Sequence, residues 1–191
     1  MTAEREFSGV IPEKNHFSLF GLPVRFALDL VALERAWKVV QGAVHPDRYV
    51  SAPESQRLMA LQRATQVNDA HDTLKDPIRR ATYLCRLHGV EVDPERNTAM
   101  PPDFLMQQME WRESLEDAAA AKSIESLSQL DQEVAAAIAE SELLIEHLLD
   151  QSPADAARAA DEVRRLMFLS KFSGQVRDEQ RRLTDGAASD F

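Results

Sequence analysis

At 191 residues, 44% apolar and 28% charged, the chain has the composition of a globular protein with room for one substantial core or two small ones. No apolar run approaches the roughly 18 residues that cross a bilayer, and the N-terminus has neither a secretory apolar region nor an Arg-rich transit character, so a cytoplasmic protein without a membrane partner is expected. The net charge of -10 argues against a nucleic-acid partner, and the single cysteine, Cys85, with five scattered histidines excludes an intrachain disulfide and the usual zinc spacings; neither a metal nor a cofactor is expected.

Residues 1–15 read as a loose tail. Phe17-Ser18-Leu19-Phe20 forms a short apolar turn ending at Gly21 and Pro23, and Phe26 pins the loop that follows. Asp29 is placed as the N-cap of a helix running to about Val44, with Leu33, Ala36, Trp37, Val40 and Val44 on one stripe. Ser51-Ala52-Pro53-Glu54 has capping-box spacing, and beyond it Leu58, Leu61, Thr65, Asn68 and Leu74 recur at helical intervals. The two patterns are of similar length and predict an antiparallel hairpin. Asp76-Pro77 then opens a helix through Tyr83, Leu84 and Leu87 that Gly89 ends.

Residues 91–101, with Asp93-Pro94 and Asn97-Thr98, carry no period and read as a linker between a domain at 16–90 and a second at 102–185, with 186–191 as a tail. Charge changes across it. Residues 1–95 hold 12 basic and 13 acidic side chains, whereas 96–191 hold 10 and 19, which points to two units with different partners. The second half contains three helical patterns, at about Asp103–Ala121, about Ser123–Asp150, and from Ser152-Pro153 to about Leu183. The middle one has a near-heptad seam of Ile124, Leu127, Leu130, Val134, Ile138, Ser141, Ile145 and Leu148. The predicted fold is therefore all-α: a helical hairpin domain followed by an antiparallel three-helix bundle.

Two features stand outside this framework. The first is His45-Pro46-Asp47 at the hairpin break, where proline expels His45 from the helix and fixes its own φ, leaving Asp47 at a stiff tip. The plain reading is a proline turn. No Ser or Cys lies nearby for His45 to activate, which argues against a catalytic dyad. The second is on the helix after Pro102. Stepping about 100° per residue puts Phe104, Trp111, Leu115 and Ala118 on one side and Leu105, Met106 and Met109 on another, with Glu113 among them and Glu110 at the edge. Either another helix covers this second strip, or it is an exposed contact patch. On the last helix Val163, Leu166, Met167 and Ser170 share a stripe, and Phe168 and Phe172 fall on another side, compatible with exposure; the plain alternative for Phe168 is a core residue. Histidines 16, 71, 88 and 147 read as surface or capping residues.

The run Phe17 to Pro23, the tripeptide in its hairpin loop, and then Asn68, Ala70, Leu74, Asp76-Pro77 and Arg80 with Tyr83 together resemble a J-domain. Within that class, the apolar start before Gly21-Leu22-Pro23, the Tyr83-Leu84 and Leu87-His88-Gly89 ending and the acidic helical second half resemble the HscB-type co-chaperones of iron-sulfur cluster biogenesis, over residues 16 to about 185. The resemblance implies a non-enzymatic partner of a DnaK/HscA-type ATPase chaperone, stimulated when His45, Pro46 and Asp47 dock. A fixed carboxylate suits a partner arginine. Arg35, Lys38 and Arg48 are then either a complementary positive patch or ordinary solvated charge. It also implies an IscU-type scaffold as second partner, with Leu105, Met106, Met109, Glu110, Glu113 and Phe168 as contacts. The alternative is a J-protein of other specialisation that delivers a different client through its bundle. Trp37 and Val44 stand where J-domains commonly carry tyrosine, His71 where an aromatic is usual, and Met109 where leucine is more usual. The cysteine segment that eukaryotic relatives add at the N-terminus is absent, so a bacterial type is expected.

Overall fold

The computed structural model describes residues 14–93 and 100–188, all helix, turn and loop with no strand among them. Of the expected linker, residues 94–99 lie outside the described residues, as do 1–13 and 189–191. Among the described residues seven α-helices run in order: α1 His16–Leu19, α2 Leu30–Val44, α3 Glu54–Lys75, α4 Pro77–Leu87, α5 Pro102–Ala120, α6 Ile124–Asp150 and α7 Ala156–Ala188, with a 3-10 turn at Pro46–Tyr49. They form two compact units. The first combines residues up to Glu91 with Glu146–Ala160, and the second combines Val92–Ile145 with residues from Asp161 onward.

In the first unit, local chemistry places most helix ends. Asn15 and Ser18 exchange side-chain and backbone hydrogen bonds in a capping box on α1. Asp29 accepts the Val31 and Ala32 N–H groups at 2.8 and 3.0 Å, and Asp76 accepts the Arg79 N–H at 2.8 Å. Gly89, at φ 80, closes α4: its N–H goes to Arg86 O and the Val90 N–H to Cys85 O, a Schellman pattern that needs a left-handed residue. The helix α3 touches α1, α2, the 3-10 turn and α4.

Three expectations about the hairpin helices fail in this unit. Ser51 does not cap α3, which starts at Glu54 after Pro53 with no side-chain cap; the 3-10 turn and an Ala52 N–H to Tyr49 O bond carry the chain past Ser51. The two hairpin helices also differ in length, 15 against 22 residues. Finally, α3 buries Ala60, Ala64, Val67, Ala70, His71 and Leu74, while Leu58 and Leu61 are 56% and 54% exposed. The stripe of Leu58, Leu61, Thr65 and Asn68 lies about a third of a turn from the buried one, and only Leu74 belongs to the core. Both stripes have helical spacing. Close approach of neighbouring helices selects the one rich in alanine.

In the second unit Phe104, Trp111, Leu130, Val134, Leu169, Phe172 and Val176 make one core drawn from α5, α6 and α7. Contacts from α6 to α7 run in opposite senses, Asp131 to Ser173 and Arg177, then Ser141 to Glu162. Those from α5 to α7 run in the same sense, Phe104 to Phe168, then Trp111 to Phe172. The helices therefore go up, down and up. The α6 seam is buried from Leu127 to Leu148 apart from half-buried Ile138, whereas Ile124 is 49% exposed at the helix start. Ser152 does not open α7: the helix begins at Ala156, and Asp155 accepts the Arg158 N–H at 3.2 Å. Phe172 is also not exposed; at 1% it is core, contributing about 2–3 kcal/mol through burial.

Candidate docking surfaces

At the hairpin tip, His45 leaves α2 with φ -58 and ψ 129, the extended backbone required before proline. Its Nδ1 accepts the Asp47 N–H at 3.3 Å and lies 3.5 Å from Asp47 Oδ2. The side chains of His45 and Asp47 are 48% and 84% exposed, so the carboxylate is presented to solvent on a backbone that is itself capped. Arg48 donates from Nη1 to Gly42 O at 3.1 Å, satisfying a carbonyl in the last turn of α2. It is thus tied to its own helix while remaining exposed. Arg35 and Lys38 are exposed on the outer face of α2. Val39 shares that face and is 75% exposed; sequence reasoning missed it, although its i+4 spacing from Arg35 was the available signal.

Behind this face the hairpin is clamped. Trp37 stacks on His71 with centroids 4.6 Å apart and donates from Nε1 to Asn68 Oδ1 at 3.2 Å. His71 is buried, not a surface residue. Its Nε2 lies 3.1 Å from Glu34 Oε1 and its Nδ1 lies 3.2 Å from Asp72 Oδ1. Hydrogen bonds from His71 and then Lys75 hold the Glu34 carboxyl below its usual range. His16 also departs from expectation: it is half-buried, stacked on Tyr83 at 4.2 Å. Burial, followed by the Arg86 charge, lowers its pKa against the pull of Asp69. A further anchor had no sequence signal. Asp150, the last residue of α6, accepts the Phe26 and Ala27 N–H groups at 2.5 and 3.0 Å, with Arg25 Nε at 3.5 Å.

On α5 the two readings of the second strip are resolved. Leu105, Met106 and Met109 are 46%, 62% and 71% exposed, with Glu110 and Glu113 also exposed. Phe168 is half-buried, edge-on to Phe104 at 5.6 Å and stacked on Phe172 at 6.0 Å. It borders the core rather than standing free. Among the described residues no group of three His, Cys, Asp or Glu side chains is placed to hold a metal ion, and no helix is long and apolar enough to cross a membrane.

A co-chaperone protein HscB homolog of Burkholderia multivorans is 49% identical over 171 residues, covering 88% of this chain and 95% of that protein. The chain belongs to the HscB co-chaperone family. The Burkholderia mallei homolog is 47% identical over 173 residues with the same coverage. The family described as HSCB C-terminal oligomerisation domain matches residues 100–177. Among solved structures, chaperone HscB from Vibrio cholerae superposes with a TM-score of 0.79 at 40% identity, covering 89% of this chain and 99% of that one. Human co-chaperone protein HscB gives 0.81 at 27% identity, covering 88% and 83%. The all-helical fold is accordingly that of the HscB family, an N-terminal J-domain and a C-terminal helical bundle.

Proposed function

We propose that the chain is an adaptor in iron-sulfur cluster assembly. Its tip engages an HscA/DnaK-type chaperone and stimulates that chaperone's ATPase, while α5 and the adjoining part of α7 carry an IscU-type scaffold. The exposed Asp47 carboxylate on its capped turn is the observation that supports this best. A pre-set charge loses little entropy on docking and meets a partner arginine through a charge-assisted bond. Arg35 and Lys38 are exposed on the outer face of α2, suited to an acidic surface on the ATPase. Leu105, Met106 and Met109 supply apolar area on the other unit, with Glu110 and Glu113 exposed on the same helix and Phe168 of α7 against Phe104. Joining both partners on one chain raises the concentration of scaffold at the chaperone, so neither contact need be tight. The chain itself performs no turnover in this scheme.

ATPase stimulation of a purified HscA-type chaperone, with and without IscU-type scaffold, is the deciding measurement. Replacing His45, Pro46 and Asp47 by alanine is expected to abolish stimulation and leave scaffold binding intact. Leu105→Ala with Met109→Ala is expected to do the reverse. Stimulation by the triple variant refutes the assigned role of the tip, and failure of the unmodified chain to bind scaffold favours a J-protein with a different client.

A further inference from the structure

The side chain of Arg165 on α7 lines a concavity of about 340 Å³ together with Asp103, Phe104, Met106, Gln107 and Glu110. Its guanidinium lies over the Phe104 ring, 4.7 Å from the centroid. The side chain keeps 31% of its exposure. Among the described residues its ion-pair partner is Glu162, 4.0 Å from Nε and beyond hydrogen-bond reach. Glu162 Oε1 already accepts the Ser141 hydroxyl at 2.5 Å. Nε is buried without a hydrogen-bond partner among the described residues. A guanidinium has five donors in a fixed fork, and this one is oriented by an aromatic ring but has no acceptor oxygen within hydrogen-bond reach among the described residues.

Resting on the scaffold-docking reading above, we infer that Arg165 is a specificity-determining residue of that surface, donating to a main-chain carbonyl of the partner segment that lies along Met106 and Met109. The local charge selects a neutral acceptor. Asp103 and Glu110 on the same rim outweigh the single arginine by one formal charge, so a partner carboxylate is repelled where a carbonyl is not. The same two acids suit basic side chains flanking that carbonyl. A partner segment of this chemistry offers apolar side chains to the strip, a carbonyl to Arg165 and lysine or arginine to the rim.

The test titrates purified IscU-type scaffold into the full chain by calorimetry. Arg165→Met keeps an apolar stem over Phe104 and removes every donor; Arg165→Lys keeps the charge without the fork. The expected result is binding about tenfold weaker for Arg165→Met, partial recovery for Arg165→Lys and thermal midpoints equal to that of the unmodified chain. The ratio between the unmodified chain and Arg165→Met should persist as salt is raised. Equal affinity of all three overturns the role, as does a loss of affinity matched by a fall in thermal midpoint, which marks packing alone. A ratio that collapses in high salt overturns the carbonyl assignment. No binding by the unmodified chain overturns the scaffold reading itself and this role with it.

Discussion

The tripeptide tip and the α5 strip are both open to solvent, yet different physics holds each there. At the tip the backbone is fixed by a proline, by the His45 cap on the Asp47 N–H and by Arg48 on the Gly42 carbonyl. On α5 the helix fixes only the Cα positions, and two of the three apolar side chains are methionines with several rotatable bonds. The tip therefore offers one charge in one place, which favours directional and salt-sensitive recognition. The three apolar side chains offer area that adapts to a partner, and their own share of the contact depends little on salt.

That contrast can be broken in several ways. The largest effect is expected from Asp47→Asn, which keeps shape and removes charge: stimulation of the chaperone should fall at least about 30-fold with scaffold affinity unchanged. Undiminished stimulation refutes a charge-based tip. Asp150→Ala should lower stability by about 2 kcal/mol in urea unfolding, because it strands two N–H groups at a side chain only 14% exposed. Stimulation per folded molecule should not change, separating the loop anchor from the docking residues. On the strip, Met109→Leu should alter scaffold affinity by less than about threefold, whereas Met109→Glu should weaken it by about tenfold. Equal effects of the two replacements argue against an apolar contact.

Smaller effects concern the frame behind both surfaces. Lys122 sits at φ 51 beyond α5, with its N–H on Ala119 O and the Ser123 N–H on Ala118 O. Lys122→Gly relieves the left-handed strain and should add about 1 kcal/mol in the same unfolding assay, with both docking activities intact. The pH dependence is the smallest effect. Both the Glu34 and His16 pKa values are depressed in the folded chain, so in each case the unfolded chain takes up the proton first as pH falls. The His16 contribution is complete above its ordinary value of 6.5 and fades below it; the Glu34 contribution is complete above 4.5 and fades in stronger acid. His16→Phe should flatten the upper part of the stability profile and Glu34→Gln the lower, and an unchanged slope in either variant removes that group from the account.

Much of the frame was legible because it is written in local chemistry. Asp29 and Asp76 cap the helices they were expected to cap, and Gly89 closes α4 with a left-handed turn. The α6 seam from Leu127 to Leu148 was readable because a long helix packed along one side repeats one period. Ser51 and Ser152 had equally good local signals and cap nothing, since a 3-10 turn and Asp155 took over the two helix starts. Phe168 and Phe172 could not be told apart by spacing, because α7 has neighbours on two sides and buries more than one stripe.

From residues alone came the helices, the exposed turn at His45-Pro46-Asp47 and the presence of a second apolar strip on the helix after Pro102, since propensity, capping and proline geometry act over a few residues. Tertiary structure alone decided that α3 packs its alanines and leaves Leu58 and Leu61 outside, that Asp150 holds the Phe26 loop from more than a hundred positions away, and that the Leu105, Met106 and Met109 strip is uncovered. Periodicity defines the faces of a helix, but which face is buried depends on the neighbours that arrive from distant parts of the chain.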